Sequence, residues 1–191
     1  MRDFILFSNS GRTKGDWKDL MSAGRMDIIC HAVIASLYLS NGIRPNVKLH
    51  VVLNGPPDPP KHLEFFYHPD SPLSKKDIGK LIRSSLWKCK KGKKTEAFPG
   101  VNIEKKGLKK LLDEFKDRNI YLLDERGKSL EEIEIGENPV FVLGDHEGLP
   151  KTEKKIAKKY AKETIRIGPL PYFASQTIVI ANNYMDRCIV K

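Results

Sequence analysis

The chain has 191 residues, 40% of them apolar, and its 34 Lys and Arg outnumber 24 Asp and Glu to give a formal net charge of +10. That length supports one compact domain with a real core, and no apolar run approaches the ~18 residues that a membrane-spanning helix requires. Three scattered cysteines, Cys30, Cys89 and Cys188, argue against a disulfide framework or a zinc site and for a reducing compartment. The lysine excess favours a polyanionic partner, because each phosphate that a lysine neutralises releases a counterion.

The N-terminal stretch has no cleavage-site pattern, so a cytoplasmic protein without a signal peptide is expected. Phe4 to Phe7 reads as a first strand, followed by a glycine-containing charged loop. Met26, Ile29, Cys30, Val33, Ile34, Leu37 and Tyr38 recur at spacings of three and four, the stripe of an amphipathic helix. The segment VKLHVVLNG is a strand stopped by PPDPP, and HLEFFYH is another. Ser74, with Asp77 three residues on, marks the capped start of a helix whose inner face is Ile78, Leu81, Ile82 and Leu86. GVNIEK is a short strand, KGLKKLLDEFKDR a helix, and NIYLLD a strand. PVFVLG is apolar throughout, the mark of a parallel strand covered on both faces. KTEKKIAKKYAKE, with Thr152 as its cap, is helical and TIRIG is a last strand. A final helix, ASQTIVIANNYMDRCIV, has Ser175 as its N-cap and apolar residues around most of its circumference, from Ala174 and Ile178 to Ile189 and Val190. A second subunit is a natural cover for such a helix. Alternating strands and helices predict an α/β fold: an open, mainly parallel sheet with helices on both faces.

In such sheets ligands lie beyond the carboxyl ends of the strands. Three strand ends in the second half carry unusual loops: Leu123 to Gly127, Gly144 to Pro150, and Ile167 to Phe173. Glycine allows close backbone approach, and the prolines at 169 and 171 stiffen the last loop. Together they form a place for a planar base such as adenine. Asp145, His146 and Glu147 are consecutive and so make a poor metal chelate, and no metal is expected. GDHEG is acidic and lacks the pattern of a phosphate-binding loop. A plain strand-to-helix turn is the competing reading of that stretch. Ser175 has no nucleophile elbow around it.

For a polyanion the sharpest feature is WKCKKGKKTEAF. Lys88, Lys90, Lys91, Lys93 and Lys94 crowd beside Trp87, a combination suited to phosphates and an unstacked base. Arg12 and Lys14 are second-rank contacts, and Lys154, Lys155, Lys158 and Lys159 read as an ordinary solvated helix face.

FVLGDHEGLP, IRIGPLPYFASQTIVIANNYMD and SAGRMDIICHAVIASLYLSNGIRPNVKLHVVLNG together resemble the archaeal tRNA pseudouridine-54 N1-methyltransferases, SPOUT-class enzymes that use S-adenosylmethionine. The resemblance covers almost the whole chain. It implies one methyltransferase domain over 1–191, with an RNA-facing N-terminal half and a cofactor-binding half, about 119–191, tied in a trefoil knot; it also implies a homodimer. It further implies that Leu123, Gly144, Gly148, Ile167, Gly168, Pro169, Leu170, Pro171, Tyr172 and Thr177 hold the cofactor. N1-methylation of a ribosomal RNA pseudouridine and a non-catalytic RNA-binding module on the same fold are the alternatives. For the reaction itself the N1 proton must leave, and a nearby carboxylate, or a water held by one, is expected to accept it. Asp27 is the candidate, with Arg25 to bind a phosphate or steady the base; Asp145 and Glu147 are rival bases.

Overall fold

The computed structural model describes residues 1–189. In chain order the elements are β1 (Arg2–Ser8), α1 (Met26–Leu37), β2 (Val47–Leu53), β3 (Lys61–Phe66), α2 (Ile78–Trp87), β4 (Thr95–Phe98) and β5 (Val101–Glu104). Then come α3 (Leu108–Glu114), β6 (Ile120–Ser129), β7 (Val140–Gly144), α4 (Lys151–Tyr160), β8 (Glu163–Arg166) and α5 (Ala174–Ile189). The strands form one sheet in the order β4-β5-β3-β2-β1-β7-β6-β8. From β2 to β8 every neighbour is parallel, whereas β3, β5 and β4 extend the sheet in antiparallel fashion.

The period-2 alternation of the central strands sorts their side chains onto two faces. Phe4, Leu6, Phe141 and Leu143 pack with α1, α2 and α5, and the rings of Phe4 and Phe141 stack 5.4 Å apart. Ile5, Phe7, Val140 and Val142 pack with Leu108, Leu111 and Leu112 of α3 and Ala157 of α4. Every residue from Val140 to Leu143 is buried, as its unbroken apolar run requires of a strand sandwiched between helices.

Several local expectations are corrected. Thr95–Phe98, expected as part of a lysine-rich loop, pairs with β5 as an edge strand. Thr152 and Ser175 are not caps: Pro150 and Phe173 precede the first helical residues. Gln176 instead accepts the Phe173 amide at 3.0 Å, one half of a capping box. Asp77 does sit at the N-cap of α2, but it makes no side-chain cap; its own amide donates to the Ser74 carbonyl at 2.9 Å.

Helix α5 lays Ala174, Ile178, Ala181 and Asn182 against the core, while Val179 is exposed. Val190 of the expected apolar set lies outside the described residues. The buried face of α5 carries a polar clamp that apolar periodicity cannot reveal. Buried Arg2 donates to the Asn182 carbonyl at 2.8 Å and to Asp186 at 2.7 Å, and Arg44 binds the same carboxylate. The clamp ties the first strand to the last helix. On the opposite side of the sheet a polar row crosses four strands. It runs from Asp3 to His50 at 3.1 Å, to His62 at 3.0 Å, to Glu104 at 3.0 Å.

Candidate cofactor and RNA site

A cavity of about 370 Å³ lies at the carboxyl ends of β6, β7 and β8, the position where parallel sheets bind ligands and a size that suits a small molecule. Its walls come from all three loops singled out in the sequence. Leu123, Gly144, Gly148, Ile167, Gly168, Leu170, Pro171, Tyr172 and Thr177 line it; of the expected set only Pro169 does not.

Each wall has a local cause. The register of β6 on β8 shifts between Leu123 and Lys128, both of which align with Ile165, so residues 124–127 bulge out of the strand. That bulge turns Asp124 and Glu125 into the cavity wall. In the second wall the chain turns sharply after β7. The Asp145 amide donates to the Phe7 carbonyl at 3.1 Å, the Glu147 amide to Asp145 Oδ1 at 3.0 Å, and the Gly148 amide to the Asp145 carbonyl at 3.1 Å. Gly148 sits at φ 73°, which favours glycine. Gly144 is required for a different reason: a Cβ there would collide with the backbone of Gly148 and Leu149. A side chain at 144 would therefore act on the turn itself, which already occupies that space. In the third wall, a Cβ on Gly168 would lie 2.7 Å from the Tyr172 ring, so the glycine lets that ring fold over the loop.

The wall is acidic. Asp124, Glu125, Asp145 and Glu147 stand against Lys154 and Arg166. Burial raises the Asp124 carboxyl, but the hydrogen bonds from Lys154 and the Arg126 amide, together with the nearby lysine charges, outweigh this and hold it below the usual carboxylate range. Lys154, expected on a solvated helix face, is therefore part of the site. Among the described residues no group of three or more His, Cys, Asp or Glu is gathered as a metal cluster.

Strand β1 ends beside β7, with Phe7 opposite Gly144, so the loop leading to α1 borders the cavity turn. At its end Arg25 adopts a left-handed conformation, φ 60°, unusual for a side chain of its size. Its guanidinium grips both carboxylate oxygens of Asp27 at 3.0 Å. Those hydrogen bonds hold Asp27 below its ordinary range, so it is ionised at neutral pH. Arg25 also lies within electrostatic reach of Asp145, which links this pair to the cavity wall.

The lysine-rich turn sits between α2 and the edge strand β4. All five lysines are exposed, but they are not equivalent. Lys88 Nζ donates to the Ala97 carbonyl at 2.6 Å and lies 3.6 Å from the centre of the Phe98 ring. Lys94 pairs with buried Glu64. Lys90, Lys91 and Lys93 have no side-chain partner among the described residues. Arg12 binds Asp16 at 2.9 Å. Trp87 is 57% exposed, its indole N–H held by the Gly15 carbonyl at 2.9 Å. Gly15 belongs to the same loop that ends at Arg25. That loop therefore connects the lysine turn to the Arg25–Asp27 pair.

A family model described as SAM-dependent RNA methyltransferase matches residues 1–190. The chain belongs to that family. Its relatives include the tRNA (pseudouridine(54)-N(1))-methyltransferase of Methanococcoides burtonii, 36% identical over 98% of this chain and 96% of that protein. The protein of the same description from Pyrococcus abyssi is 35% identical over 98% of both chains. Among solved structures, Archaeoglobus fulgidus Nep1 bound to S-adenosylhomocysteine superposes with a TM-score of 0.69 over 100% of this chain and 99% of that one, at 12% identity. That likeness concerns the fold.

The sequence places Asp124 and Glu125 in the first of the three loops, and the bulge in β6 is what turns them into the wall. Lys154 and Arg166 lie outside those loops and were missed as wall residues. Lys154 is drawn in by Asp124, a partner distant in sequence.

Proposed function

We propose that this protein transfers a methyl group from S-adenosylmethionine to N1 of the pseudouridine at position 54 of tRNA. The observation that carries the reading is the convergence of three loops on one cavity in a chain of this family. The residues present fit the cofactor. The cavity has glycine-lined walls, a loop stiffened by two prolines, and an acidic rim suited to a positively charged ligand.

When bound, the cofactor supplies a methyl group already activated on a sulfonium. The chain has to position the two reactants, exclude water and take away the N1 proton. Asp27, ionised and fixed by Arg25, is the acceptor at the head of α1, acting directly or through a water. Arg25, held in its left-handed conformation, steadies the base or a neighbouring phosphate. Lys90, Lys91 and Lys93, whose ammonium groups have no side-chain partner among the described residues, contribute most to RNA binding. Arg12, Lys88 and Lys94 contribute less while they keep their internal partners. Relatives at 31–37% identity that are described as tRNA enzymes favour tRNA over ribosomal RNA. The intact cavity favours catalysis over a binding module.

The same proposal includes a cofactor half over about 119–191 and an RNA-facing N-terminal half, acting in the cytoplasm. It also includes a trefoil knot, supported by the place of β8 beside β6 and by Gly127 packed on the backbone of Thr164 and Ile165. A homodimer joined through α5 and the end of α1 is supported by exposed Val179 and Leu39, which line a second cavity between these helices. Calorimetry with S-adenosylmethionine tests the reading at its base: binding near micromolar is expected, and its absence would leave only the binding module.

A further inference from the structure

One polar atom in the cavity wall is left over. The Asp145 side chain is 1% exposed. Its Oδ1 accepts the Glu147 amide, and its Oδ2 is buried with no hydrogen-bond partner among the described residues. His146 Nδ1 stands 3.6 Å from Oδ1. Arg25 is within electrostatic reach, but its guanidinium is committed to both oxygens of Asp27. A buried carboxyl oxygen without a partner carries its full desolvation penalty, and such an atom on a residue that lines a ligand cavity points to a charge that arrives with the ligand.

We propose that Asp145 is the counter-charge for the cationic cofactor, and that it distinguishes the sulfonium of S-adenosylmethionine from the neutral thioether of S-adenosylhomocysteine. The inference rests on the cofactor reading above. The other acidic residues of the wall are less suited to this role. Asp124 is neutralised by Lys154, and Glu125 and Glu147 are 62% and 56% exposed, where water screens them. Asp145 alone among the four acts from within a dry wall, where a charge is felt most strongly. On transfer the S–CH3 bond would break with its electron pair left on sulfur, the methyl would bond to N1 and Asp27 would take the N1 proton, leaving a neutral thioether. The attraction to Asp145 then lapses, and release of the product is eased.

Asp145→Asn isolates the charge, because the amide oxygen can still accept the Glu147 amide and the shape is kept. Calorimetric titrations of the wild-type protein and the variant would use three ligands. These are S-adenosylmethionine, sinefungin, in which a protonated amine replaces the methylsulfonium, and S-adenosylhomocysteine. The variant is expected to lose about tenfold in affinity for the two cationic ligands and less than about threefold for the neutral one. Equal losses for all three would make Asp145 a turn-positioning residue and overturn the proposal, as would no loss. The wild-type protein provides a second check that needs no variant: tighter binding of S-adenosylhomocysteine than of sinefungin also contradicts it. A wild-type protein that binds none of the three overturns the cofactor reading itself.

Discussion

At the scale of single residues, the site depends on side chains that are missing as much as on those present. Gly144 has the backbone of its own turn where a Cβ would go. Gly144→Val should therefore displace residues 145–149 and abolish cofactor binding, with a loss of stability of about 1–3 kcal/mol. Calorimetry and thermal unfolding check both effects, and a variant with native affinity would show that the turn is not a wall of the site. Asp27 makes the complementary case. Among the described residues its carboxylate accepts side-chain hydrogen bonds only from Arg25, so Asp27→Asn should leave cofactor affinity unchanged. It should lower kcat by roughly 10²-fold or more, the usual contribution of a positioned acid or base. Unchanged kcat would transfer the proton to Asp145 or Glu147.

At the scale of elements, the long periodic segments were legible in the sequence and the polar ones were not. The stripe from Met26 to Tyr38 gives α1, and the apolar run from Val140 gives β7, because each pattern reports directly on the face that must be buried. Edge strand β4 was hidden because its lysine-rich approach reads as loop. The bulge in β6 and the Arg2–Asn182–Asp186 clamp were hidden because they join residues far apart in the chain. So was the Asp3–His50–His62–Glu104 row, which has a measurable consequence. Burial lowers the His62 imidazole to about 4, because the charged form is disfavoured there. The His62 hydrogen bond, aided by Lys106, lowers Glu104 to about 2. Both folded values lie below the ordinary ones, so both contributions are complete above about pH 6.5 and are lost on acidification. Denaturant unfolding should show stability falling from about pH 6.5 to 4 through His62, and from about 4.5 to 2 through Glu104. In a His62→Gln variant the upper part of that decline should disappear. An unaltered profile in that variant would remove His62 from the account.

At the scale of the whole molecule, the sheet separates two tasks. The lysine turn adjoins edge strand β4, and the cavity lies at the ends of β7, β6 and β8. Five strand spacings separate β4 from β7, about 24 Å across the sheet, so a ligand that reaches both must be large and anionic, as tRNA is. Replacing Lys90, Lys91 and Lys93 by Gln should weaken tRNA binding and reduce the slope of log affinity against log salt by roughly 2. S-adenosylmethionine binding should not change. An unaltered slope would take this turn out of the interface. The central claim is that the cavity presents a methyl donor to N1 of one pseudouridine, and the most direct measurement is mass spectrometry of tRNA. A tRNA carrying pseudouridine at position 54 is incubated with the protein and S-adenosylmethionine labelled in its methyl group, then digested to nucleosides. One labelled methyl is expected on that nucleoside, at N1. Label on another nucleoside, or none in the presence of a bound cofactor, would contradict it.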